Sequence, residues 1–128
     1  MDSSLPTSVQ NSTVMGVAYN TDNNRIYIPA FHSGSVVILN PDTNAFEGTP
    51  IPVGTEPWGI VHNPSNNHMY VTNYGSDTVS AIDATRNSVD ATFPTGDFPT
   101  GIAYNPNNRH IYVANFGSGS NTVSVIHP

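Results

Sequence analysis

The amino-acid sequence predicts an all-β fold built from a repeated unit. The string Tyr70-Val71-Thr72-Asn73 recurs 42 residues later as Tyr112-Val113-Ala114-Asn115, and in weaker form earlier as Tyr27-Ile28-Pro29-Ala30. No apolar run has helical spacing, whereas Val, Ile, Thr and Tyr alternate with polar residues at period two. A repeat of this length indicates that each unit is one supersecondary element that packs against copies of itself.

Each unit is predicted to contain four short strands. In the second unit they cover residues 59–62, 69–74, 78–83 and 88–93, and Asn, Gly, Pro and Asp separate them. Four strands in about 40 to 45 residues make one blade of a β-propeller. Three tyrosines occupy the same position of the second strand, so we expect comparable burial of their rings between blades: Tyr27, Tyr70 and Tyr112.

The whole chain is predicted to form one propeller domain. Residues 1–13 form an N-terminal tail, and blades follow at 14–56, 57–98 and 99–128. The third blade is expected to lack its fourth strand. Residues 5–8, Leu5-Pro6-Thr7-Ser8, resemble the end of a fourth strand, as in Ile51-Pro52-Val53-Gly54.

About three blades make an incomplete propeller, because propellers typically close with four to eight. Open blade edges expose unpaired backbone groups and favour pairing with another chain. One hypothesis is that two chains exchange the strand at residues 5–8 and close a six-bladed dimer. The alternative hypothesis is that the sequence belongs to a longer array, whose further blades cover the edges.

The motifs of the second unit resemble the YVTN-type β-propeller repeat family of surface-layer and periplasmic proteins. They are Pro57-x-Gly59-Ile60, Asn63-Pro64, Met69-Tyr70-Val71-Thr72-Asn73, Thr78-Val79-Ser80-x-Ile82-Asp83 and Phe93-Pro94-Thr95-Gly96. The likeness covers residues 14–128, although the first unit departs at Pro29-Ala30 and at Asn40. It implies an extracytoplasmic location, at the cell surface or in the periplasm. It also implies a protein or cell-envelope ligand.

The composition narrows the classes of partner and chemistry. Three arginines and no lysine stand against nine acidic residues, giving a formal net charge of −6. We therefore expect no nucleic-acid partner, because phosphate neutralisation needs clustered cations. No cysteine is present, so disulfides and thiolate metal sites are excluded. The first 13 residues lack the pattern of a secretion signal, and no stretch is apolar and long enough for a membrane span.

Four residues are candidates for ligand binding. Trp58 precedes the first strand of the second unit, where Met15 and Thr100 stand in the other units. There it could stack on a ligand at the mouth of the channel, or else pack between blades. His62 shares its repeat position with Tyr19 and Tyr104, and could belong to a ring around the channel or be an ordinary turn histidine.

No set of nucleophile, base and metal ligands can be assembled, so we expect no catalytic residue, no metal site and no cofactor. The sequence therefore favours a non-enzymatic propeller acting as a binding or structural module of the cell surface. The alternative is a fragment of a propeller enzyme, such as a lactonase or a reductase propeller domain. Its catalytic residues would then lie in missing blades, since fold alone does not transfer function.

Overall fold

The computed structural model describes residues 12–117 and 121–128, which form eleven strands. The first sheet contains β1 (Ala18–Asn20), β2 (Arg25–Ala30), β3 (Ser35–Asn40) and β4 (Ala45–Pro52). The second contains β5 (Pro57–Asn63), β6 (His68–Asn73), β7 (Thr78–Asp83) and β8 (Ser88–Pro94). The third contains β9 (Pro99–Asn105), β10 (His110–Asn115) and β11 (Thr122–Ile126).

All three sheets are antiparallel, with their strands in sequence order, and this confirms an incomplete β-propeller. The described residues give the third sheet three strands. Within residues 12–117 and 121–128, one 3-10 turn, Phe31–Ser33, interrupts the β pattern. No described helix has the length and apolarity to cross a bilayer. The predicted strand remnant at residues 5–8 lies outside the described part of the chain.

Asparagine side chains shape the turn between the first two strands of each sheet. The Oδ1 atom of Asn63 accepts a hydrogen bond from the backbone N–H of Ser65 at 3.0 Å, and Asn20 and Asn105 make the same bond two residues on. Such Asx turns reverse the chain. The last turn residue has positive φ, 57° at Asn24, 53° at Asn67 and 62° at Arg109. Asparagine tolerates this conformation better than most residues.

Two apolar cores lie between neighbouring sheets. The first joins sheets one and two, and its fully buried members include Tyr27, Val36, Met69 and Ile82. The second joins sheets two and three and includes Tyr70, Val79, Ile111 and Val113. Because successive side chains of a strand point to opposite faces, the middle sheet contributes to both cores.

The three tyrosines of the second strands are not equally buried. Tyr27 and Tyr70 are 0% and 2% exposed, whereas Tyr112 is only half-buried. The prediction of comparable burial was therefore wrong for Tyr112, because no described sheet covers its face. Each hydroxyl does have a polar partner, accepting a hydrogen bond from the side-chain amide of Asn23, Asn66 or Asn108.

The sheets converge on their first strands, since β5 contacts β1 on one side and β9 on the other. A β-bulge lies between Pro57 and Ile60, where β5 pairs with β6. The Thr72 hydroxyl accepts a hydrogen bond from Gly59 N–H at 2.8 Å and donates to the Thr100 carbonyl at 2.8 Å. The threonine of the repeated string thus connects the bulge to the next blade.

Candidate functional site

A row of aromatic rings lies where the first strands begin and the second strands end. We call Phe31, Trp58, Tyr74 and Phe98 the aromatic rim. Trp58 stacks on Tyr74 with ring centroids 5.1 Å apart, and Tyr74 lies 4.8 Å from Phe98. Phe31 of the first sheet meets Trp58 edge to face at 5.9 Å. The rim therefore runs across the junctions between the blades.

The local backbone explains how the rim forms. Phe31 and Tyr74 each follow a second strand directly, and Trp58 belongs to the bulged start of β5. Phe98 has φ of 53°, an unusual value for a bulky residue, and its N–H donates to Asp77 Oδ1 at 2.8 Å. The strained backbone holds the Phe98 ring beside Tyr74.

Polar groups border the rim. The N–H of Tyr74 donates to the Glu56 carbonyl at 2.9 Å, and the N–H of Thr55 donates to Ser76 Oγ at 3.1 Å. The Glu56 carboxylate lies over Gly75, where a Cβ atom would be 2.6 Å from Oε1. Trp58 and Tyr74 remain half-buried, and Phe98 is 41% exposed. The rim thus presents apolar ring surface beside hydroxyl and carboxylate groups.

The structure does not bring Trp58 together with the other three candidate residues. Trp58 is the second residue of β5 and His62 the sixth, so they are separated by roughly 13 Å along the strand. Tyr19 and Tyr104 occupy the His62 position in β1 and β9. This position faces the preceding blade. The period of two places His62 on the same side as Ile60, which belongs to the first core, and Tyr104 on the same side as Ile102, which packs against the second core.

Each of these three residues makes hydrogen bonds or packing contacts within the described blades. The His62 side chain is 6% exposed, and its Nε2 lies 3.2 Å from Asn67 Oδ1 and 3.4 Å from Asp22 Oδ2. Tyr19 is 49% exposed and donates its hydroxyl to Asn24 Oδ1 at 2.9 Å. Tyr104 is partly buried against the second core. None of these contacts resembles a ring of ligands around the channel.

A polar cluster separate from the aromatic rim joins β6 to β8 of the middle sheet. His68 Nε2 lies 2.8 Å from Asp90 Oδ2, and His68 Nδ1 lies 2.9 Å from the Asn66 carbonyl. Partial burial lowers the pKa of His68, but the hydrogen bonds with Asp90 and Asn66 and the charges of Asp90 and Asp83 outweigh it. The pKa is therefore raised above its ordinary value of 6.5.

The same repeat position carries an ion pair in the first sheet. Arg25 Nε donates to Glu47 Oε1 at 2.6 Å, and this bond lowers the pKa of the Glu47 carboxyl. His68 and Asp90 replace that pair in the second sheet. The donor atoms of His68, Asp83 and Asp90 lie within 4.8 Å of one another, close enough to converge on one cation. Both His68 nitrogens face acceptor oxygens, an arrangement that suits the doubly protonated imidazolium.

Sequence reasoning identified Trp58 but missed Phe31, Tyr74 and Phe98 as its neighbours. One sequence signal was available, because Phe31, Tyr74 and Phe116 are aromatic residues at the same repeat position. In the structure, Phe116 is 74% exposed. Phe98 carries no such signal. Its place in the rim depends on a positive φ that its residue type does not favour.

Comparisons with known proteins agree with this architecture. The NHL repeat family matches residues 97–126, and no curated protein matches the chain. Hydrazine synthase from Kuenenia stuttgartiensis is similar in structure, with a TM-score of 0.82 and 25% identity over 96% of this chain. A catalytically inactive H270A virginiamycin B lyase from Staphylococcus aureus, in a structure with quinupristin, gives a TM-score of 0.72 and 13% identity over 94% of this chain.

A streptogramin B lyase structure gives a TM-score of 0.73 and 15% identity, also over 94% of this chain. At such identities the two lyases show the fold alone. This chain spans 36% of the hydrazine synthase chain and 43% and 42% of the two lyases. Fold, repeat match and structural neighbours agree that this chain is a β-propeller repeat protein.

Proposed function

We propose that the chain is a YVTN-type, non-enzymatic binding module of the cell surface or periplasm, and that its aromatic rim binds a cell-envelope glycan. The observation that carries the proposal is the rim itself, four rings that cross the blade junctions with part of their surface exposed. Aromatic side chains supply apolar contact surface, and neighbouring polar groups orient a ligand.

The groups beside the rings favour a sugar over other envelope ligands. A sugar ring has an apolar face that can lie on Trp58 or Phe98, and hydroxyls that can reach Thr55, Ser76 or Glu56. The net charge of −6 disfavours polyanions, because like charges repel a ligand of the same sign. The repeat strings Tyr-Val-Thr-Asn and Tyr-Val-Ala-Asn support the YVTN type and, with it, an extracytoplasmic location.

The fluorescence of Trp58, the single tryptophan, tests this proposal. Trp58 is only partly buried, so acrylamide should quench its emission. Soluble peptidoglycan fragments should shift that emission and protect it from quenching. Phe98→Ala should weaken the binding about tenfold, since one good aromatic contact is worth roughly 1 kcal/mol or more. The matched control is Tyr19→Ala, which removes an exposed aromatic at the opposite end of a first strand.

Two results would overturn the glycan proposal. One is an emission that acrylamide cannot reach, which would place Trp58 wholly between blades. The other is binding to an envelope protein that Phe98→Ala abolishes, while peptidoglycan fragments leave the emission unchanged. That outcome would assign the rim to a protein ligand.

The second candidate function is a segment of the propeller domain of an enzyme. It is favoured by the likeness to hydrazine synthase, which covers nearly this whole chain but only 36% of the other. The parent reading frame decides between the candidates. Further blades carrying an acidic metal cluster or converging histidines would support the enzyme, and a frame that adds neither would support the binding module.

A further inference from the structure

Every blade has two different faces, and neighbouring blades join one face to the other. We call the side with Tyr70, Val79 and Ala81 the outgoing face, because it packs against the next sheet in the second core. The side with Ile60, Met69 and Ile82 is the incoming face, which packs against the preceding sheet in the first core. Both internal junctions of this chain are therefore of one kind, outgoing against incoming.

The described structure leaves one face of each kind open. On the outgoing face of the third blade, Val123 is 62% exposed, although its repeat equivalent Val79 is 0% exposed. Val125 is 44% exposed, against 2% for Ala81. On the incoming face of the first blade, Val17 is 65% exposed, against 8% for Ile60. These residues keep the apolar character of a blade junction although no described sheet covers them.

Glycines at one repeat position give a second, independent indication. A Cβ atom on Gly16 would lie 2.8 Å from the Trp58 carbonyl oxygen, and one on Gly59 would lie 2.6 Å from that of Thr100. Both glycines are needed because the main chain of the next blade approaches closely. At Gly101 a Cβ would meet only the Ala114 side chain, at 4.0 Å. Gly101 therefore keeps the glycine of a blade junction, although no described main chain lies against it.

We propose that the outgoing face of blade three binds the incoming face of blade one of a second copy. By the repeat, Gly101 would then lie against the main chain at Met15 of that copy, as Gly59 lies against Thr100. Each chain carries both complementary faces, so two chains can form two such junctions around a two-fold axis. The product would be a ring of six blades, within the range in which propellers close.

Substitution of Gly101 tests this geometry without disturbing the single chain. Gly101→Ala has open space and should leave the circular dichroism and melting temperature of the monomer unchanged. Sedimentation velocity should show the parent chain at twice 13.7 kDa and Gly101→Ala with a dimer dissociation constant raised at least tenfold. Gly59→Ala is the contrasting variant, because its Cβ would meet a carbonyl inside the chain and should lower the melting temperature.

A mixing experiment tests the direction of the contact. Val123→Asp blocks the outgoing face and Val17→Asp blocks the incoming face, and both side chains are exposed in the single chain. Each variant alone should sediment as a monomer. An equimolar mixture should recover a dimer, because one outgoing and one incoming face remain intact. Thr85→Asp is the matched control, since this exposed residue lies in the turn between β7 and β8 of the middle sheet, away from both open faces.

Three results would overturn the proposal. A parent chain that remains monomeric at about 100 µM would mean that the open faces await further blades of a longer polypeptide or no partner. A Gly101→Ala variant that dimerises as tightly as the parent would exclude this junction. Higher oligomers or fibres would show that the contact propagates and does not close at six blades.

Discussion

At the scale of single residues, the repeated Tyr-Val-Thr-Asn string is explained by hydrogen bonds. Asn73 is 0% exposed, and its Oδ1 accepts the Gly54 N–H at 3.1 Å while its Nδ2 donates to Ser80 Oγ at 2.9 Å. Asn73 Nδ2 also donates to Thr78 Oγ1 at 3.1 Å. In the first unit Ala30 replaces this asparagine. Ser35 Oγ, which corresponds to Thr78 Oγ1, is buried and consequently has no hydrogen-bond partner among the described residues. The string is therefore a structural motif that connects strands and blades.

One residue-scale prediction concerns His68. Its folded pKa is raised above 6.5, so its contribution to stability is fully present below that value and is lost as the pH rises through the folded pKa. His68→Gln should therefore lower the melting temperature at about pH 5.5 more than at about pH 8.5. Thermal unfolding followed by circular dichroism measures both differences. The control is His32→Gln, in the exposed turn Phe31–Ser33, and an equal loss for His68→Gln at both pH values would contradict the prediction.

At the scale of elements, identical strand positions differ in burial because neighbouring sheets differ. The second strands β2, β6 and β10 carry tyrosines at the same position, each bonded to an asparagine four residues earlier. In the described part of the chain, a following sheet covers the tyrosines of β2 and β6 but not that of β10. The Tyr27 hydroxyl also donates to Asn87 Oδ1 of the next blade at 2.8 Å. Blade packing, and not the strand itself, completes the environment of this tyrosine.

The prediction at this scale compares two tyrosines. Tyr70→Ala should reduce the free energy of unfolding by about 3 to 5 kcal/mol, as expected for loss of a buried aromatic ring. Tyr112→Ala should reduce the free energy of unfolding clearly less in a monomeric chain, because its ring is only partly buried. Urea unfolding at a concentration that keeps the chain monomeric measures both. Equal losses for the two variants would mean that the outgoing face of blade three is covered even in the single chain.

At the scale of the whole molecule, the three sheets form a short linear array. The middle sheet is covered on both faces, whereas each outer sheet has one neighbour among the described residues. In such arrays stability is close to a sum of unit and neighbour contributions. Local opening should therefore begin at the ends.

Hydrogen exchange provides the corresponding prediction. Amides of β6 and β7 should exchange most slowly, and those of the three-residue strand β1 and of β11 should exchange sooner. Mass spectrometry of peptic peptides, recorded with the dissociated monomer, would resolve this gradient. Uniform protection across the three sheets would instead indicate one cooperative unit in which the end faces are not weaker.

Sequence alone determined the repeat, the all-β class and the identity of the strands, because period two and the Asn, Gly and Pro punctuation act locally. It could not determine which apolar positions are covered, since Val79 and Val123 have the same local pattern and opposite exposure. It also could not assemble the aromatic rim, which combines residues from two sheets and a strained loop. The tertiary structure decided these features, because burial and ring stacking depend on which blades lie side by side.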